Sequence, residues 1–170
     1  MLEIVLLYVA IVLINNGICR LSNIDSKSAS IMNIFVGLLS VIINVIAIIH
    51  GDFNNDKSDF YAAATGLLFG FTYLFVAANN LFNLDTRAFG WYSLFVAINS
   101  IPAAYLSYKD DVVHISFTAI WLAWGVLWLT GFIECVLKIE LKFVPYLAIF
   151  EGIVTAWIPA WLFFMGIWSM

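Results

Sequence analysis

Charge is what this sequence has least of. Only 11% of its 170 residues are Asp, Glu, Lys or Arg, whereas 64% are hydrophobic. A water-soluble chain of this size cannot hide that much apolar surface, so an ordinary globular domain is excluded. Histidine is scarcer still: His50 and His114 are the two copies, and both fall between apolar runs. An enzyme working at membrane depth needs an acid–base pair or metal ligands there, and no imidazole is placed to supply them. Two cysteines, Cys19 and Cys135, make no disulfide framework. P-loops, paired CxxC motifs, HExxH and basic patches are missing as well, which removes nucleotide, zinc and nucleic-acid chemistry. No cofactor is expected. Met1-Leu2-Glu3 carries no basic region ahead of the first apolar run, so that run reads as a retained helix rather than a secretory signal.

What is present is a series of six apolar runs, at about residues 2–19, 30–49, 60–81, 90–107, 115–136 and 145–168. Each is close to the roughly 20 residues a helix needs to cross a hydrocarbon core of about 30 Å. The connectors are short and leave nothing for a soluble domain. Residues 1–170 are therefore expected to form one all-α membrane domain of six transmembrane helices. The first, third and fifth connectors carry Arg20, Lys27, Arg87, Lys138 and Lys142; the second and fourth carry only Lys57 and Lys109. This bias puts the odd connectors in the cytoplasm and both termini outside. The outer surface then holds Asp52, Asp56, Asp59, Asp110 and Asp111 with both histidines, and the two thiols lie at cytoplasmic helix ends.

A weak repeat runs through the even-numbered segments: Phe35-Val36-Gly37-x-x-Ser40, Phe95-Val96-Ala97-x-x-Ser100 and Phe150-Glu151-Gly152-x-x-Thr155. The first and third segments end alike, in Asn15-Asn16 and Asn79-Asn80. Three consecutive two-helix hairpins in one orientation fit this pattern, with small residues at close helix contacts. Such parallel repeats differ from the inverted repeats of many coupled transporters.

Two features bear on function. Phe117, Trp121, Trp124 and Trp128 follow each other at helical spacing, so their rings share one face along roughly 16 Å of axis. Trp121 and Trp128 are too far apart for one interfacial belt, which leaves helix packing or the wall of a passage. Matching faces exist on the first helix, at Leu2, Leu6, Val9 and Leu13, and on the third, at Phe69 and Tyr73. Together these make a slit with aromatic and apolar walls, suited to a small, flat, uncharged solute. Glu151 lies roughly 9 Å into the sixth helix, where a carboxylate costs on the order of 3 kcal/mol unless it is paired or faces water. It either snorkels toward the headgroups and Lys142 or offers an acceptor to an aqueous path. Pro102 and Pro159 are expected to bend their helices.

Four stretches, ATGLLFGFTYLF, WYSLFVAIN, IWLAWGVLWLTGFIE and EGIVTAWIPAWL, together with the N-terminal LLYVAIVLINNGIC, resemble the UreI/AmiS family of bacterial urea and short-chain amide channels. The resemblance covers nearly the whole chain and rests on long, Trp-rich motifs. It implies a passive urea channel of the bacterial inner membrane, opened by external acid and feeding cytoplasmic urease. The alternatives are an acetamide-like amide channel or a proton-coupled transporter. It further implies six helices per protomer and a homohexamer in the lipid bilayer, each protomer with its own pore. Family pore positions fall on Leu6, Val9, Leu13, Phe69, Tyr73, Trp121, Trp124, Trp128 and Glu151. Acid-gated members can carry a long, histidine-rich outer loop between helices two and three; here residues 50–59 hold one histidine. Gating is therefore expected to use His50 and His114, or clustered carboxylates that raise one another's pKa.

Overall fold

The structure, a computed structural model, describes residues 2–54 and 57–169, with Asn54 described by its backbone alone. Asp56, one of the outer carboxylates named above, lies outside the described residues. Among the described residues every regular element is helical. Helix α1 is Leu2–Leu21, α2 Ser26–Asn54, α3 Lys57–Phe82, α4 Arg87–Ser107 and α5 Val112–Cys135. Helix α6, Val144–Phe164, is α-helical over Val144–Glu151, π-helical over Gly152–Trp157 and α-helical again over Ile158–Phe164. All but α4 are long and apolar enough to cross a membrane. Helix α4 has the length but carries Trp91, Tyr92, Ser93, Asn99 and Ser100, which lower its hydropathy.

The two prolines act differently. Pro102 sits within α4 without changing the helix type. Pro159 has no N–H for the carbonyl four residues back, and its ring crowds that oxygen. The helix widens just before it: Ile158 N–H reaches Ile153 O, five residues back, and the π stretch results.

The repeat extends to the backbone. Helices α1, α3 and α5 are each followed by a left-handed residue: Asn23 (φ 52°), Asn83 (φ 51°) and Lys138 (φ 59°). The next N–H, of Ile24, Leu84 or Ile139, turns back to a carbonyl in the last turn, Cys19, Asn79 or Ile133. This closes orphan carbonyls in the manner of a left-handed helix cap, which asparagine tolerates well. An acid follows each time, Asp25, Asp85 or Glu140. Asp25 accepts the N–H of Ser28 at 3.1 Å and Asp85 that of Arg87 at 3.0 Å, so both steady the start of the next helix. The sequence signal, Asn-Ile-Asp, Asn-Leu-Asp and Lys-Ile-Glu, was available but is too short to stand out beside the apolar motif.

Although the tight turns join α1 to α2, α3 to α4 and α5 to α6, the closest packing is α2 on α3, α4 on α5 and α1 on α6. Small residues set these contacts. A Cβ on Gly70 would lie 3.3 Å from Ser40 Cβ, and one on Gly152 would lie 3.0 Å from Ala10 O. At Gly125 it would run into Ser100. The three motif copies take equivalent places: Phe35, Phe95 and Phe150 point outward at 62%, 58% and 58% exposure, while Val36, Val96 and Glu151 are buried at 1%, 0% and 1%. Helices α1, α3 and α5 turn their apolar and aromatic faces to a common interior, where Leu6, Val9, Phe69, Tyr73, Trp121, Trp124 and Trp128 are all buried.

Candidate functional site

Two cavities open into that interior from opposite ends of the bundle. One, of about 390 Å³, lies at the end with the basic connectors and is bordered by Leu13, Asn16, Arg20, Tyr73, Asn79, Asn80, Trp128 and Glu134. The other, of about 420 Å³, lies at the acidic end and is bordered by Leu2, Leu6, Val9, Asn44, Asp59, Phe117 and Trp121. Phe69 and Trp124 border both. The sequence-derived faces of α1, α3 and α5 thus come together, and aromatic rings separate the two cavities.

The partition is a stack of rings. Phe69 comes from α3, with its centroid 5.9 Å from Trp121, 4.7 Å from Trp124 and 4.8 Å from Trp128. Trp121 and Trp124 meet edge to face at 5.3 Å. These tilted and edge-on geometries suit the charge distribution of aromatic rings. Two indole N–H groups are tied down. Trp124 Nε1 donates to Thr155 Oγ1 at 2.8 Å, and that hydroxyl donates to Glu151 O at 2.6 Å. Trp128 Nε1 donates to Thr72 Oγ1 at 3.1 Å, and that hydroxyl donates to Leu68 O at 2.6 Å, an oxygen that also accepts Tyr92 OH at 2.7 Å.

Glu151 lies buried between helices. It is 1% exposed, so it does not snorkel, and it borders neither cavity. Its Oε2 has no hydrogen-bond partner among the described residues. It stands where the other repeat copies have Val36 and Val96, packed between helices.

The mouth at the basic end holds groups that periodicity did not reveal. Arg20 donates through both terminal nitrogens to Glu134, at 2.9 Å each, and Leu141 N–H donates to the same carboxylate at 3.2 Å. This ties α1, α5 and the connector to α6. Asn16 and Asn33 exchange amide hydrogen bonds at 3.0 and 2.7 Å.

At the acidic end His50 Nδ1 lies 2.6 Å from Asp59 Oδ2, joining α2 to α3. His114 Nδ1 lies 2.7 Å from Asp111 Oδ2 but out of line for a hydrogen bond, so this contact depends on charge. Asp111 caps α5 by accepting His114 N–H at 3.0 Å. That bond, and then the imidazole, hold its carboxyl below the usual range. The expectation of carboxylates raising one another fails at Asp111, because donors surround it more closely than acids. Asp52 and Asp110 are exposed.

The comparisons with known proteins agree with this geometry. Residues 1–167 match the AmiS/UreI family transporter pattern. The acid-activated urea channel of Helicobacter pylori strain 26695 is 53% identical over 99% of this chain and 100% of its own length. A putative amidate substrates transporter protein of Mycolicibacterium smegmatis is 37% identical over 96% of this chain and 76% of its own. Among solved structures, the crystal structure of the H. pylori urea channel superposes with a TM-score of 0.90 at 57% identity, covering 99% of this chain and 100% of that one. The electron cryomicroscopy structure of that channel in its closed state gives 0.91 at 56% identity, with the same coverage. The chain belongs to the AmiS/UreI family of transporters.

Proposed function

We propose that this protein is a passive channel that carries urea across the bacterial inner membrane, through the slit between Phe69 and the α5 tryptophans. The observation that carries this reading is the meeting of two cavities from opposite ends at Phe69 and Trp124. Ring faces accept amide N–H groups weakly, so a flat diamide slides between them at little cost. A hydrated ion would shed its water there and gain no oxygen ligands in return. No bond is made or broken. In this reading all six helices span the bilayer with both termini outside, protomers assemble as a hexamer, and cytoplasmic urease consumes the solute. External acid opens the path, through His50 and His114 or through the outer carboxylates Asp52, Asp56, Asp59, Asp110 and Asp111.

Short-chain amides are the second reading, favoured by the 37% identical relative described as an amidate substrates transporter. A proton-coupled transporter fits less well, since Glu151 has no charged partner at its depth among the described residues. Stopped-flow uptake of urea and acetamide into proteoliposomes, at outer pH of about 5 and about 7.5, separates these readings. Urea is expected to enter faster, without saturation, and Trp124→Ala and Glu151→Gln are expected to change its rate. Unchanged rates in both variants would remove the slit assignment.

A further inference from the structure

The third copy of the repeat is the one that departs from the others. On α2 and α4 the motif ends in Ser40 and Ser100, whose hydroxyls bond backbone carbonyls, Gly66 O at 3.3 Å and Ala97 O at 2.7 Å. Ser40 Oγ also accepts Asn44 Nδ2 at 3.4 Å, from its own helix; on α6 the residue is Thr155, which donates to a carbonyl and whose oxygen takes the indole N–H of Trp124 from another helix. Local π-helical geometry holds it there, since Thr155 lies within Gly152–Trp157. Such widened turns recur at functional positions in helices. Thr72 does the same for Trp128 from the opposite side of the slit, one turn along from Phe69.

We infer that Thr155 and Thr72 are positioning residues for solute selection: by accepting the indole N–H groups of Trp124 and Trp128 they fix both ring planes and withhold those donors from the solute. Each hydroxyl has one proton and spends it on the carbonyl four residues back, so its oxygen is left as the acceptor for the indole. Both threonines are buried, at 5% and 9% exposure; Thr155 borders neither cavity, so water does not compete readily for its bond, whereas Thr72 borders the cavity at the basic end. Beside Trp124 and Trp128 the passing molecule then meets ring faces, which take N–H donors, and neither of these two indole N–H groups is left to bind its carbonyl oxygen. A solute is favoured by how many N–H groups it carries, and N-alkylated analogues are disfavoured beyond their added bulk.

This inference rests on the slit being the path of the solute, and the experiment separates the two. Proteoliposomes with wild-type protein, Trp124→Ala, Thr155→Val, Thr155→Ser and Thr72→Val are compared for uptake of urea and 1,3-dimethylurea. Thr155→Val keeps the shape and removes the acceptor, so the preference for urea should fall by about tenfold, the worth of one hydrogen bond. Thr155→Ser should recover most of that loss. If Trp124→Ala changes uptake but Thr155→Val and Thr72→Val both keep the wild-type preference, the positioning role is wrong and the slit stands. If Trp124→Ala changes nothing, the slit itself is wrong. Ultraviolet resonance Raman difference spectra, wild type minus Trp124→Phe and wild type minus Trp128→Phe, isolate these two indoles among the seven tryptophans. Indole N–H bands should report hydrogen bonding before urea is added and stay put afterwards. A shift on adding urea would mean that the solute uses those donors, and would overturn the inference.

Discussion

Phe69 and Trp124 are the two residues that touch both cavities, and their rings meet edge to face with centroids 4.7 Å apart and planes at 80°. One comes from α3 and the other from α5, so the partition is held by side chains rather than by backbone. Phe69→Ala should join the cavities. Uptake of a bulkier amide such as butyramide is expected to rise relative to urea, at a stability cost of about 3–5 kcal/mol. Light-scattering uptake and thermal unfolding in detergent measure both. An unaltered ratio would place the narrow point elsewhere.

Glu151 occupies the buried position that Val36 and Val96 fill in the other repeat copies. Replacing a buried carboxyl that has an unbonded oxygen by valine should stabilise the fold by about 1–3 kcal/mol. The same change alters the helical turn that carries Thr155, whose hydroxyl bonds Glu151 O, so urea flux is expected to fall while the melting temperature rises. A variant that loses stability would show that Glu151 has a structural partner, such as buried water.

The Arg20–Glu134 pair spans the mouth of the cavity at the basic end. Arg20 is half exposed, so its loss alone should cost no more than about 1 kcal/mol. Glu134→Ala should cost more, because Leu141 N–H also depends on that carboxylate. Glu134→Gln keeps an acceptor for Leu141 and should fall between them. Thermal unfolding of the three variants orders the costs; equal losses would mean that the connector is not held through Glu134.

Acid sensitivity can be assigned to groups. Asp111 has a lowered folded pKa, so the stability it lends α5 is fully present above the ordinary carboxylate range. That contribution is lost only as the pH falls below that range, so mild acid leaves the cap in place. Imidazole changes charge between about pH 5 and 8, and both histidines lie beside acids. His50→Gln combined with His114→Gln should flatten the dependence of urea flux on outer pH. A curve that keeps its shape would move the sensor to Asp52, Asp56, Asp59 or Asp110.

Much of this architecture is legible in the residues themselves. Spacing alone put Trp121, Trp124 and Trp128 on one face, because a helix fixes direction locally. It also put Leu6, Val9 and Leu13, and Phe69 with Tyr73, on faces that the fold brings together. Partners across the fold were not legible. Thr155 appeared as the last letter of a motif, but nothing nearby in sequence says that it faces Trp124, 31 positions away. Arg20 and Glu134 are 114 apart, and Arg20 read only as a basic charge of the first connector. For Glu151 the depth was legible but the direction was not, because distance along a helix says how far in a residue lies and not which way it points.

The packing of α1 on α6 has a consequence for how the chain is made. The other close pairs, α2 with α3 and α4 with α5, are neighbours in order of synthesis and can associate as they leave the ribosome. Helix α1 must wait, inserted and without its nearest mate, until five more helices have been translated. The step that completes the ring therefore joins the most distant segments and carries the largest loop-closure cost. A circular permutant that begins at α2 and ends with α1 would turn all three pairs into nearest neighbours, and it should assemble faster than the natural order.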